Sequence, residues 1–132
     1  MIEDIKISTS QRVQFVDITA AVRSSIRKSG VKNGLAVVYV PHTTAGVTIN
    51  ESADPSVVSD IINKLNDLIP RHGSYRHAEG NSDAHIKASM MGSSASVIIS
   101  EGNLLLGVWQ GIFFCEFDGP RSRKIVVKII SV

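Results

Sequence analysis

The stretch GLAVVYVPHTTAGVTINESADPSVVSDIINKLNDLIP, Gly34 to Pro70, holds two strand signals and one helix signal in that order. Leu35 to Val40 is an unbroken apolar run bounded by Gly34 and Pro41, and three of its members are valines. Branched side chains suit a pleated surface, and an unbroken run predicts a strand buried on both faces. A second, more polar strand is predicted over Gly46 to Asn50. Asp54 then offers an acceptor to the first free N–H groups of a helix, and Pro55 falls where a missing N–H is harmless. Val57, Val58, Ile61, Ile62, Leu65, Leu68 and Ile69 recur on a helical period, with Asp60, Asn63, Lys64 and Asp67 turned outward. Pro70 ends the helix.

Working outward from this stretch, Ile2, Asp4, Lys6 and Ser8 alternate with Glu3, Ile5 and Ile7. Val13 and Phe15 flank Gln14, so two short strands joined by Ser-Thr-Ser are predicted. Ile18, Val22 and Ile26 recur every four residues before Gly30, which predicts a helix from Ile18 to Ser29 capped by Asp17 or Thr19. Arg71 to Ser82 has no period and reads as a loop, long enough to carry function. Asp83 opens a short helix that runs to about Met91 and ends at Gly92. Ala95 to Ser100 reads as a strand, followed by a turn at Glu101-Gly102-Asn103. Leu104 to Trp109 and Gly111 to Phe117 are apolar stretches, Gly119-Pro120 turns the chain, and Lys124 to Val132 is the last strand. Strands and helices in this order predict a single α+β domain with a mixed sheet.

The chain has 132 residues, 43% hydrophobic and 20% charged, so one core without staples is feasible and disorder is disfavoured. A formal charge of +2 argues against nucleic acid as a partner. Cys115 is the single cysteine and reads as a buried core thiol, with no neighbouring base to activate it. Met1 to Ser10 carries Glu3, Asp4 and Lys6 and no long apolar core, so no signal peptide is read there. No apolar run approaches the roughly 18 residues of a membrane span. The expected location is the cytoplasm, with no membrane partner.

The chemistry-bearing residues fall in four stretches. Arg71 to Lys87 holds His72, His77 and His85 among Arg71, Tyr75, Arg76 and Glu79, and His42 closes the first strand of the opening stretch. His72 reads equally well as a solvated loop residue. His42, His77 and His85 come from a strand end, a loop and a helix, and would make an open metal site if they converge. Their spacing matches no short metal motif. Glu116 and Asp118 share one face of a strand, where they either recruit a cation or pair with Arg121 and Arg123. The Asp-Gly-Pro-Arg-Ser-Arg turn offers two guanidinium forks suited to phosphate. Thr43, Thr44 and Thr48 offer hydroxyls, and Asn50 and Glu51 an amide and a carboxylate. Trp109, the only tryptophan, reads as core or as a wall for a flat ring.

Taken together, HTTAGVTINE (His42 to Glu51), YRHAEGNSDAHIK (Tyr75 to Lys87) and GVWQGIFFCEFDGPRSR (Gly107 to Arg123) resemble the YjbQ-like family, some of whose members are described as secondary thiamine-phosphate synthases. The resemblance covers nearly the whole chain. It implies a mixed β-sandwich with two to three helices packed on it, assembled as a homotrimer. It also implies a weak transferase activity that joins an aminopyrimidine diphosphate to a thiazole phosphate and releases diphosphate. The positions matching the family's proposed site are His42, Thr43, Thr44, Glu51, His77, His85, Trp109, Gln110, Glu116, Asp118, Arg121 and Arg123. Of these, His42, Glu51, His85, Glu116 and Asp118 are expected to be catalytic. Thr43, Thr44, Trp109, Gln110, Arg121 and Arg123, with Lys87, are expected to bind a phosphorylated ligand. His42, His77 and His85 would hold a divalent ion, zinc or magnesium. The same residues also suit a metal- or phospho-metabolite-binding protein without catalysis, or a metal-dependent hydrolase.

Overall fold

The computed structural model describes residues 1–132. In chain order the elements are β1 (Ile2–Ser8), β2 (Gln14–Asp17), α1 (Thr19–Ser29), β3 (Gly34–Tyr39), β4 (Ala45–Glu51), α2 (Pro55–Leu68), α3 (Ser82–Met91), β5 (Ser94–Ser100), β6 (Asn103–Leu104), β7 (Gln110–Glu116) and β8 (Ser122–Ser131). One sheet has the order β1-β8-β3-β5-β6 and the other β2-β7-β4. The expected α+β sandwich with helices packed on it is present. Its strand directions differ from the expected mixed sheet, because every pairing is antiparallel.

Strand β7 sets the layers. Successive side chains leave a strand on opposite faces. Ile112 and Phe114 enter the larger core between the sheets, with Val38, Val97, Ile125 and Val127 from the five-stranded sheet and Val22 and Ile26 from α1. Phe113 and Cys115 point the other way, joined by Phe117 just beyond the strand. They form a smaller core with Leu65 of α2 and Ala84 and Ala88 of α3. The three-stranded sheet is thus covered on both faces, and β7 reads as a continuous buried run for that reason. Burial pushes the Cys115 thiol far up, which keeps it protonated and inert.

The helix boundaries follow local chemistry. Asp17 Oδ1 accepts from the Thr19 amide at 2.9 Å and its hydroxyl at 2.6 Å, so both residues read as caps take part. Gly30 adopts a φ of 70° and closes α1 onto the carbonyls of Ile26 and Arg27. Asp54 Oδ1 accepts from the Ser56 amide at 2.9 Å, as its position predicts. No helix is long and apolar enough to cross a membrane.

The expected burial of β3 is corrected. Strand β3 is not buried on both faces: Ala36 and Val38 are buried, Leu35 and Val37 only half so, and Tyr39 is exposed. The outer face of the five-stranded sheet carries no covering layer, so the apolar run is closed on one side only. Of the apolar stretch Leu104 to Trp109, only Leu104 lies in a strand. The Gln110 side chain accepts the Gly107 amide at 2.7 Å, and the Gln110 amide bonds back to the Gly107 carbonyl at 3.0 Å. This closed turn leaves Leu105, Val108 and Trp109 exposed.

Phe114→Ala removes a fully buried ring and should cost about 3–5 kcal/mol in urea unfolding. Leu68→Ala, on the exposed side of α2, should stay within about 0.5 kcal/mol. Equal losses at the two positions would contradict the layer assignment.

Candidate functional site

The site lies where β3 hands over to β4, at the end of the sandwich to which β7 and β8 deliver the Gly-Pro turn. Arg123, on β8, reaches across to the other sheet and meets Glu116, the last residue of β7. Its Nε donates to Glu116 Oε1 at 2.9 Å and its Nη2 to Oε2 at 2.5 Å. The same Nη2 donates to the Thr44 hydroxyl at 2.8 Å. Glu116 also accepts from the Thr9 hydroxyl and from the amides of Phe117 and Asp118. Burial alone would push this carboxyl up. The Arg123 fork, the Asp118 amide and the Thr9 hydroxyl outweigh it and hold the carboxyl below its ordinary value.

The turn between β7 and β8 rests on this pair. The Gly119–Pro120 peptide is cis. Gly119 leaves no room for a side chain: a Cβ there would come within 2.3 Å of the Gln11 carbonyl oxygen. Arg121 folds back onto Asp118, its Nε donating to the backbone carbonyl at 2.7 Å and its Nη2 to Oδ2 at 3.0 Å. Asn81 donates to the same Asp118 oxygen at 2.9 Å, which ties the start of α3 to the turn. Burial raises the Asp118 carboxyl, but Asn81 and Arg121 outweigh it and hold it low. The two carboxylates therefore pair with the two arginines of the turn, the plainer of the two readings open from sequence.

Above this floor opens a cavity of about 470 Å³. His42, Thr43 and Thr44 form one wall, His77, Glu79, Asn81 and His85 another, and Asp118, Arg121 and Arg123 the base. Apart from Pro41, every lining residue is polar. The histidines distant in sequence and the guanidinium-bearing turn thus share one pocket.

The three imidazoles differ in what they can do. Desolvation, then the nearby Arg123 charge, holds His42 below its ordinary value, so it is neutral near pH 7. Its Nε2 lies against the Lys124 backbone, 3.1 Å from the amide nitrogen and 3.2 Å from the carbonyl oxygen, accepting from the one or donating to the other according to the tautomer. His77 and His85 meet edge to face with ring centroids 5.5 Å apart, and His77 Nε2 is 3.7 Å from Glu79. His85 makes no protein hydrogen bond through its ring. No three His, Cys, Asp or Glu side chains gather closely enough to hold a metal ion. The donor set expected for zinc or magnesium therefore does not fit as it stands: His42 has turned its Nε2 to the backbone.

Four expected site residues lie elsewhere. Glu51 and Gln110 face each other at the opposite end of the β4–β7 ladder, with Trp109 next to them. Six residues of strand separate that end from the pocket, about 20 Å at the usual rise. Trp109 is 62% exposed there. Lys87 is also outside the pocket: it is 1% exposed and bonds Asn66 at 2.7 Å and Asp83 at 3.2 Å. Glu116, Thr44 and Arg123 support the pocket from buried positions. Asn81 and Thr9 went unread in the sequence. Asn81, a capping residue type just before α3, left a faint signal; Thr9 left none.

This architecture has known counterparts. The family model described as UPF0047 protein YjbQ-like matches residues 3–132. The chain belongs to the YjbQ-like UPF0047 family. A UPF0047 protein of Methanocaldococcus jannaschii is 59% identical over 131 residues, covering 99% of this chain and 95% of that protein. The UPF0047 protein YugU of Bacillus subtilis is 46% identical over 132 residues, covering 99% and 100%. Among solved structures, an uncharacterised conserved YjbQ/UPF0047 protein of Clostridium acetobutylicum matches with a TM-score of 0.96 at 57% identity, covering 97% of this chain and 99% of that one. A protein of unknown function from Sulfolobus solfataricus matches with a TM-score of 0.96 at 36% identity, covering 100% and 97%.

The YjbQ-like pocket carries its own pH dependence. Glu116 has a folded-state value below its ordinary 4.5, so its contribution is complete above about pH 4.5 and is lost as the pH falls through the lower folded value. Glu116→Gln should cost about 3–5 kcal/mol at pH 7, because it strands the Arg123 charge. It should also flatten the fall in stability below pH 4.5, followed by urea unfolding at several pH values. An unchanged acid limb would show that Glu116 does not carry it.

Proposed function

We propose that this chain is a low-activity transferase of the thiamine-phosphate synthase type, joining an aminopyrimidine diphosphate to a thiazole phosphate with release of diphosphate. One observation supports the reading most: His42, His77 and His85 line one polar pocket with Arg121 and Arg123. A pocket lined almost wholly by polar and charged side chains suits a charged phosphate ester better than an apolar ligand. In this reading Arg121, whose side chain is 53% exposed, meets the phosphate oxygens and stabilises the charge that develops on the leaving diphosphate. The thiazole nitrogen forms its bond to the pyrimidine methylene carbon as the carbon–oxygen bond to diphosphate breaks, and His85, with free ring nitrogens, donates a hydrogen bond or proton to the departing diphosphate oxygen. The pair of Arg123 and Glu116 positions the turn and touches no substrate. No step runs through a metal ion, since the donors do not converge.

A second reading has a specific observation behind it. Trp109, Gln110 and Glu51 stand about 20 Å from the pocket within one chain, at the usual strand rise. Without an aromatic wall, the pocket suits a phospho-metabolite-binding protein that does no chemistry. The homotrimer implied by the family resemblance bears on this choice, because a neighbouring copy can supply what one chain lacks. Exposed Ile98, Ile130 and Tyr39 on the five-stranded sheet, and Val108 and Trp109 at the far end, favour such an assembly. The metal-dependent hydrolase has the least support, for the same reason of donor placement.

Incubation with the aminopyrimidine diphosphate and the thiazole phosphate should yield thiamine phosphate and diphosphate in equal amounts, read by chromatography. His85→Ala and Arg121→Ala should each abolish turnover and keep the wild-type melting temperature. Full activity in both variants discards the reading. Saturable ligand binding without product favours the binding protein, and phosphate release without coupling favours the hydrolase. Sedimentation equilibrium should give about three times the chain mass of 14.2 kDa; a monomer would remove the assembly from the proposal.

A further inference from the structure

A second polar cavity of about 350 Å³ lies against α3, lined in part by Arg12, Asn66, Arg71, Asp83 and Lys87. Asp83 and Lys87 are one helical turn apart and share a face, whereas His85 lies between them in sequence and points away. The two cavities therefore flank the helix from different sides. Three cations line this one against a single carboxylate. Arg12 holds that carboxylate in a two-pronged grip at 3.0 Å and 3.0 Å, and Lys87 Nζ adds a third contact at 3.2 Å. Burial pushes Asp83 up, but Arg12 and Lys87 outweigh it and keep it ionised.

The count of hydrogen-bond donors exceeds that of acceptors. A guanidinium carries more N–H groups than the two Arg12 spends on Asp83, and its Nε is buried with no partner. An ammonium carries one more than Lys87 spends on Asn66 and Asp83. Arg71 is exposed and pairs with no carboxylate. It stands at the foot of a loop fixed by the Tyr75 hydroxyl on the Pro70 carbonyl at 2.6 Å. A fully buried lysine and a half-buried arginine in surplus positive charge are costly unless an acceptor-rich group joins them.

We propose that this cavity is a second anion site, which takes a small phosphomonoester. Two net positive charges match a phosphate dianion, and planar guanidinium forks match its oxygens. The cavity is larger than a bare phosphate and leaves room for a short polar organic group, for which Gln11 and Asn66 stand ready.

The test is an amide NMR titration of the whole chain with inorganic phosphate and, separately, glycerol 3-phosphate, at constant ionic strength set with chloride. Both should shift the amides of Asn66, Arg71 and Lys87 along saturating curves, with the monoester tighter. Arg71→Ala removes an exposed side chain, so the fold should survive, and it should weaken binding at those amides about tenfold. Arg121→Ala should leave those shifts unchanged, so a failure of the transferase reading does not touch this site. Linear, non-saturating shifts, or equal affinity in Arg71→Ala, would overturn the anion site. Equal affinity for the two anions would overturn the monoester assignment.

Discussion

The ion pair between Arg123 and Glu116 is the constraint on which the pocket depends. Arg123 belongs to one sheet and Glu116 to the other, and both are buried. Together with Thr9 and Thr44 they tie four separate segments at one end of the sandwich. A buried pair of this kind adds little to net stability compared with apolar side chains of the same shape. Its value lies in geometry. It fixes where the Gly-Pro turn leaves the sandwich, and the turn fixes Asp118 and Arg121. Through Asp118 and Asn81 it also fixes the start of α3, which carries His85. A chain of short, charge-assisted contacts thus links the sheet interface to the histidine wall.

The same end of the molecule divides labour among chemically similar groups. Glu116 is sealed and spends its acceptor capacity on the protein. Asp118 is partly open and orients Arg121. Among the imidazoles, His42 is committed to the backbone of β8, while His77 and His85 face one another in the open loop wall. Residues of one type play different parts because burial and backbone contacts differ, and those differences arise from the packing of the sheets. Helix α3 stands between two charged cavities of different character, one lined by imidazoles and one by lysine and arginine.

Much of this was legible in the sequence wherever the signal was local. The Asp54-Pro55 helix start, the Gly30 stop and the alternation along β7 each follow from neighbours within a turn or a strand. The pairing of Glu116 and Asp118 with Arg121 and Arg123 was also open to reading, because a tight turn keeps those four residues close. What could not be read lies across long separations. Arg12 and Asp83 are 71 residues apart, and Thr9 and Glu116 are 107 apart. No period or spacing carries such contacts. Lys87 reads in the sequence as further positive charge for a phosphorylated ligand beside the histidines, yet the helical period turns it to the opposite side of α3, into the other cavity. Trp109 and Gln110 stand close to the site in sequence terms, but β7 runs away from the pocket and carries them to its far end. The convergence of the histidines on the arginine turn was a spatial expectation that the cavity bears out; their convergence on a metal was not met.

A crystal structure of the protein grown with the aminopyrimidine diphosphate tests the central claim most directly. The phosphate oxygens should lie within hydrogen-bond distance of Arg121 and the His85 ring, with the Arg123–Glu116 pair unmoved beneath them. Ligand density confined to the Trp109 end of the sandwich, with the histidine pocket vacant at saturating concentration, would contradict it.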